Sequence, residues 1–463
     1  MARRCCRLRN ILICVCTPCV CLALLIIYVA VMVCLNMTVT MNSQLDLHFV
    51  APGNVNNGSF APLPKTFWKH HLDSDAFWNQ LQQVIDYDFN PILHPRRNKA
   101  RSPRSSVGDS LLGQSFAQVT IMDNMRKNFE HFPKQIQEFV RYMQKRNYPI
   151  LIQPDGVCGA KAKEEREPPL VLLAIKTTEC NLKKRQAIRQ TWGRVGWVEG
   201  QKTNRSSEGV LGGYVRRVFL LGKEDNDQLS MDMSDFLKTE SKHYGDILQW
   251  DFKDTFFNLT LKDVLFWSWF SRHCNRIHFI FKGDDDVFIN TPKLITYLQS
   301  QLEKSQALNT LEDFMVGEVI GSAKPNRVKS SKYFIPDTFY KGFYPLYPGG
   351  GGLVYSGLLA KRLYNISKTV HLFPIDDVYV GMCMIRLHAL PVHNPAFLTF
   401  DFPKNEGEEL CSYHTILMVH KRTPEQIVSL WADMQRTQRQ CQDVPLRSAD
   451  KKINAEDRLV AAF

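Results

Sequence analysis

The chain has 463 residues, 44% of them apolar and 22% charged, and its 58 lysines and arginines against 46 aspartates and glutamates leave a formal charge of +12. That balance belongs to a globular protein with room for one large domain or two, and it excludes a disordered or fibrous chain.

Residues 1–10 carry Arg3, Arg4, Arg7 and Arg9, and 11–35 follow without a charged residue. At about 1.5 Å per residue such a run can cross a hydrocarbon layer of roughly 30 Å. It is too long for the apolar core of a cleaved signal peptide and lacks the small-residue cleavage site. It therefore reads as a membrane-spanning signal anchor, and the arginines on its amino side put the 1–10 tail in the cytosol and the rest of the chain in a lumen.

Seven of the thirteen cysteines (Cys5, Cys6, Cys14, Cys16, Cys19, Cys21 and Cys34) belong to the tail and anchor. Cys158, Cys180, Cys274, Cys383, Cys411 and Cys441 remain, an even set that suggests disulfides in an oxidising lumen without choosing their pairing. Glycosylation acceptors at Asn57, Asn204, Asn258 and Asn365 agree with a secretory route, whereas the one at Asn36 is too near the bilayer to be used.

Residues 36–165 form a lumenal stem. Its start is polar with Pro and Gly, but 67–93 (FWKHHLDSDAFWNQLQQVIDYDFNPIL) has aromatic and aliphatic residues at helical spacing, the pattern of a segment docked on a larger body. The basic run RRNKARSPR at 96–104, behind an anchor, reads as a solvated or cleavable loop, so no nucleic-acid partner is expected.

Between 166 and 445 strands and helices alternate, which predicts an α/β catalytic domain with a mixed, mostly parallel sheet covered by helices on both faces. LVLLAIK at 170–176 is a buried strand, KKRQAIRQTW at 183–192 a basic helix, RVFLL at 217–221 a second strand, and 247–250 begins a third. The aromatic helix 259–274 leads into FIFKGDDDVFIN at 279–290. There Asp284, Asp285 and Asp286 stand at a strand's carboxyl end, where open α/β sheets bind ligands. Adjacent carboxylates repel, and the apolar residues on both sides draw them inward; hard oxygens so placed suit magnesium or manganese, which can hold a diphosphate.

Three later stretches can complete a site. YPLYPGGGG at 344–352 has four glycines that permit close backbone approach, with Tyr347, Gly350 and Gly351 as candidate acceptor contacts. PIDDVYVG at 374–381 puts Asp376 and Asp377 at the start of a helix, where an aspartate commonly caps the amino end. ILMVH at 416–420 is an apolar strand ending in His420. Residues 446–463 are a carboxyl-terminal tail.

RRVFLLG (216–222), KRQAIRQTWG (184–193), DTFFNLTLK (254–262), FKGDDDVF (281–288), YPGGGG (347–352), PIDDVYVGMC (374–383) and the terminal VH resemble, over 170–441, the β-1,3-glycosyltransferase family of type II Golgi enzymes. GGGG and PIDDVY are similar to its β-1,3-N-acetylglucosaminyltransferases, and FWK, FWN and NPIL to the branch that extends poly-N-acetyllactosamine. Met143 departs from that pattern, since relatives often carry a cysteine there, so their disulfides do not transfer wholesale.

The resemblance implies an A-type glycosyltransferase (GT-A) fold in the Golgi membrane. It also implies inverting, metal-dependent transfer from UDP-N-acetylglucosamine to a terminal galactose of a glycoprotein or glycolipid glycan, with room for a homodimer or for association with other glycosyltransferases. It gives Asp286 and His420 to Mn²⁺ (or Mg²⁺), Asp284 and Asp285 to the nucleotide sugar, and Asp377 the role of general base. Beside them, Asp376 is a candidate for acceptor hydroxyls that would also raise its neighbour's pKa. Arg185 and Arg189 are candidates for the donor diphosphate or for a surface salt bridge, and Lys176 for the donor. The alternatives are a β-1,3-galactosyltransferase using UDP-galactose, and a silent lumenal glycoprotein that would have lost the metal aspartate or the base; this chain keeps both.

Overall fold

The computed structural model describes residues 75–90, 129–158 and 168–448, apart from 157, 202–211, 225–232, 275, 309–310, 322 and 404–405. The 1–10 tail, the 11–35 anchor, the 96–104 basic run, Asn57, Asn204 and nearly all of the 446–463 tail lie outside the described residues. Among the described residues no helix is long and apolar enough to cross a membrane.

Two helices within the expected stem come first, α1 (Phe77–Phe89) and α2 (Lys134–Tyr142), then strands β1 (Ile150–Ile152) and β2 (Val171–Lys176) and helix α3 (Leu182–Gln190). They are followed by β3 (Gly196–Glu199), β4 (Gly212–Lys223), α4 (Ser234–Tyr244), β5 (Ile247–Lys253), α5 (Leu259–His273), β6 (Phe279–Asp284), β7 (Phe288–Ile289) and α6 (Thr291–Leu308). The remainder holds β8 (Met315–Gly317), β9 (Val319–Ile320), β10 (Tyr347–Pro348), β11 (Gly352–Ser356), α7 (Gly357–Ser367), α8 (Asp376–Arg386), β12 (Val392–His393), β13 (Phe397–Leu398), β14 (Met418–Val419) and α9 (Pro424–Cys441).

The main sheet runs β1-β5-β4-β2-β6-β11-β8-β12, with β3 added to β4. Its centre, β5-β4-β2-β6, is parallel, because each of these strands is reached through a helix long enough for a crossover. Beyond that centre the only further parallel pair of the main sheet among the described residues is β12 with β8, so the expected predominance of parallel pairing is lost. β1, β3 and β11 pair antiparallel, and β11 lies against both β6 and β8, reached from β8 by an excursion that contains the small β9–β10 ribbon and no α-helix. The sheet is therefore evenly mixed.

Strand alternation splits the core in two. Leu172, Ala174 and Ile280 face the layer that contains α1, α2, α5, α7 and α8, while Val171, Leu173, Ile175, Phe279 and Phe281 face α3, α6 and α9. Continuing the even positions puts Lys176 and Lys282, both buried, on the α5–α8 side. This parity decides which side chains meet at the carboxyl edge.

The stem segment around 77–89 is packed against the domain. Phe77 and Trp78 are 6% and 0% exposed; burying aromatic rings of this size gives at most about 4–6 kcal/mol apiece. Cys158–Cys274 and Cys411–Cys441 are disulfides, whereas Cys180 and Cys383 are free thiols, so the six cysteines do not all pair. Met143, where a cysteine was to be expected, is buried at the end of α2.

Candidate active site

β6 carries the carboxylates to the sheet's edge with Asp284 opposite Lys176 of β2. A three-stranded sheet, β13-β14-β7, then pins the return: Val419 pairs with Phe288, so the residue just after β14, His420, comes back over the carboxylates. Lys421 adopts φ +62°, a left-handed conformation rare outside glycine, and the reversal lets Arg422 N–H donate to the Asp286 carbonyl at 2.7 Å.

Ligand atoms of Asp284, Asp286 and His420 all lie within 4.8 Å of one another. His420 Nε2 is 3.2 Å from Asp286 Oδ1 and 3.9 Å from Asp284 Oδ2. His420 Nδ1 lies 3.2 Å from the Thr399 carbonyl, which seats its proton there and turns the Nε2 lone pair toward the carboxylates. Asp286 Oδ1 is buried and receives no hydrogen bond. Acceptors thus face acceptors, a conflict that a cation relieves, and the mixed oxygen and nitrogen donor set fits Mn²⁺ or Mg²⁺. A proton on Nε2 would serve the same end. Burial opposes charge on both groups, yet their proximity holds His420 above the usual imidazole range and Asp286 below the usual carboxylate range.

Beside this set lies a buried ionic cluster. Lys176 Nζ donates to Asp376 Oδ2 at 2.5 Å and sits 3.1 Å from Asp284 Oδ1. Lys282 Nζ donates to Asp263 Oδ2 at 2.6 Å and lies 3.6 Å from Asp376 Oδ2. Burial alone would raise Asp376, but the two lysines outweigh it and hold that carboxyl well below the usual range. Asp377, next along α8, has no such partner: burial first, then the Asp376 charge, push it up to about 7. Neighbouring carboxyls driven apart in this way mark one as a fixed charge and the other as a group able to exchange a proton near neutrality.

The two aspartates do not cap the helix. Ile375 is the N-cap, and Asp376 and Asp377 are the first helical residues. Asp376 turns inward to the lysines, while Asp377 stays partly exposed.

The glycine loop joins the base to the metal-ligand set. Asp284 N–H donates to the Gly351 carbonyl at 3.0 Å, and a Cβ on Gly350 would lie 3.0 Å from Asp377 Oδ2. Gly351 has φ +95°, and a Cβ there would come within 2.8 Å of the His420 ring. The tight fit explains why glycine stands at both positions. Tyr347 packs edge-on to Tyr344 at 6.3 Å, and burial together with the Asp377 charge raises its phenol pKa.

Asp285 turns away from its neighbours and accepts from Thr177 Oγ1 at 2.6 Å and from Asn181 and Lys184 at 2.8 Å each, so it braces β6 against the β2–α3 turn. Arg185 and Arg189 are buried, and they are bonded to Glu240 and Asp246. Their charges are matched within the α3–α4 layer by buried ion pairs, in place of the surface salt bridge. Asn258 is half-buried and donates to the Lys253 carbonyl, whereas Asn365 is exposed on α7. Lys282 and Asp263 went unnoticed in the sequence, and strand parity was the signal that could have found Lys282.

Residues 183–395 match the galactosyltransferase family. Over 388 residues the chain is 40% identical to N-acetyllactosaminide beta-1,3-N-acetylglucosaminyltransferase 2 of Mus musculus, covering 84% of this chain and 91% of that one. It is 39% identical to the Homo sapiens protein of the same name, covering 82% and 89%. UDP-GlcNAc:betaGal beta-1,3-N-acetylglucosaminyltransferase 7 of Rattus norvegicus is 36% identical, with 82% and 89% covered.

Proposed function

The chain belongs to the galactosyltransferase family, in its β-1,3-N-acetylglucosaminyltransferase group, and from that premise we propose that it moves N-acetylglucosamine from UDP-N-acetylglucosamine to the 3-hydroxyl of a terminal galactose with inversion. One observation carries the mechanism: a carboxyl poised near neutrality, Asp377, is separated by a single glycine loop from the Asp284, Asp286 and His420 set.

Asp284, Asp286 and His420 would hold Mn²⁺ or Mg²⁺, which when bound neutralises the diphosphate of the departing UDP. Both carboxylates keep about a third of their side-chain surface open, 34% and 33%, so the set can be reached from solvent. Asp377 accepts the proton of the acceptor hydroxyl as that oxygen attacks the anomeric carbon, the single base that an inverting displacement requires. Lys176 and Lys282 keep Asp376 charged, and that charge keeps Asp377 basic. The glycine loop, with Tyr347 at its start, forms the wall against which the acceptor sugar lies.

The evenly mixed sheet with helices on both faces is compatible with the GT-A fold. The uncharged run at 11–35 behind four arginines, the sequons and the two disulfides support the reading of a type II Golgi membrane protein with its catalytic domain in the lumen. EDTA is expected to abolish transfer and added Mn²⁺ to restore it; full activity after exhaustive chelation would remove the metal from the account.

A further inference from the structure

We propose that stem helix α1 is a positioning element of the active site, gripping the base-bearing helix α8 and the approach to the glycine loop while leaving the metal-ligand set to the sheet. The inference rests on Asp377 being the base. Trp78, Gln82 and Asp86 recur every four residues and so share one face of α1.

All three are at most 1% exposed. Trp78 Nε1 donates to the Leu372 carbonyl at 3.0 Å. Gln82 Nε2 donates to the Thr369 carbonyl at 3.0 Å, and Gln82 Oε1 accepts from His371 N–H at 2.8 Å. Asp86 takes a two-pronged bond from Arg386, Nε at 2.8 Å and Nη2 at 2.6 Å. Residues 369–372 are the run into α8, and Arg386 is its last residue. α1 therefore holds the base helix at both ends.

A second set of bonds reaches the glycine loop. Thr338 and Phe339 carbonyls accept from Phe77 and Trp78 N–H at 2.9 and 2.8 Å, and Asn79 exchanges two 3.0 Å bonds with the Lys341 backbone. From there Tyr340 packs on Tyr344 at 5.5 Å, and Tyr344 on Tyr347 at 6.3 Å. Hydrophobic docking alone would not need this matched polar stripe, since each buried polar group is costly unless paired. The pattern fixes orientation as well as attachment.

Displacing a catalytic group by about 1 Å costs roughly 10²-fold. Trp78→Phe keeps an aromatic ring and removes the bond to Leu372; Asp86→Asn takes from Arg386 its charge partner and one prong of the two-pronged bond, with Asp86→Glu as the conservative control. In the full chain, Trp78→Phe and Asp86→Asn are expected to lower kcat by roughly 10-fold to 100-fold, with Mn²⁺-dependent UDP affinity retained and Asp86→Glu recovering much of the loss. Trp78→Phe settles the matter if Asp86→Asn does not fold. Wild-type kcat in Trp78→Phe, or UDP affinity falling in step with kcat, would overturn the inference. Its failure is separable from that of the base assignment, which Asp377→Asn tests independently of α1.

Discussion

Asp377→Asn is expected to lower kcat by about 10²–10⁴-fold, the usual share of a general base, while Mn²⁺-dependent UDP affinity stays within about twofold because the lost interaction exists only in the transition state. The amide has nearly the shape of the carboxylate but cannot take the proton. The pH dependence follows with a definite sign. Asp377 is raised to about 7 by burial and by Asp376, so below that pH the wild-type base is protonated and slow, and the rate climbs as pH rises through it. Asp377→Asn should lose that limb. Measuring kcat against pH for both proteins checks the claim, and a variant of near-normal turnover would place the base elsewhere.

Asp286→Asn should fail differently. Removing even an outer-shell partner of a metal ligand typically weakens metal affinity by about 10–100-fold, so loss of a ligand oxygen should cost at least that much. Mn²⁺ affinity and Mn²⁺-dependent UDP binding should fall together. Asp285→Asn is the informative neighbour, because Asp285 bonds Thr177, Asn181 and Lys184. Its effect should appear as lost thermal stability with metal affinity largely kept. Calorimetric titration with Mn²⁺ and UDP separates the two, and unchanged affinity in Asp286→Asn would take that residue out of the metal shell.

Much of this arrangement could be read from local patterns. Buried strands such as VLLAIK and FIFKG announce themselves by continuous apolar runs, and α3, α5 and α8 begin within a residue or so of their expected positions. What local pattern cannot supply is the partner across space. Lys176 and Asp376 are 200 positions apart, Arg189 and Asp246 57, and nothing near Arg185 or Arg189 shows that carboxylates from the α4 region will occupy them. The fate of each triplet carboxylate depended on the turn after β6, which sends Asp285 toward α3 and its neighbours toward His420. β7 and β14, two residues each, are too short to leave a periodicity. The sense of β11 was equally hidden, because it follows from a connection without a helix.

Donor choice tests the central claim most directly. The protein, with Mn²⁺ and an acceptor ending in N-acetyllactosamine, is given UDP-N-acetylglucosamine or UDP-galactose, and the product is read by mass and linkage. The account predicts N-acetylglucosamine transferred in β-1,3 linkage from the first donor and no product from the second. Galactose transfer would move the chain to the galactosyltransferase branch, and a folded protein that transfers neither sugar would contradict the account.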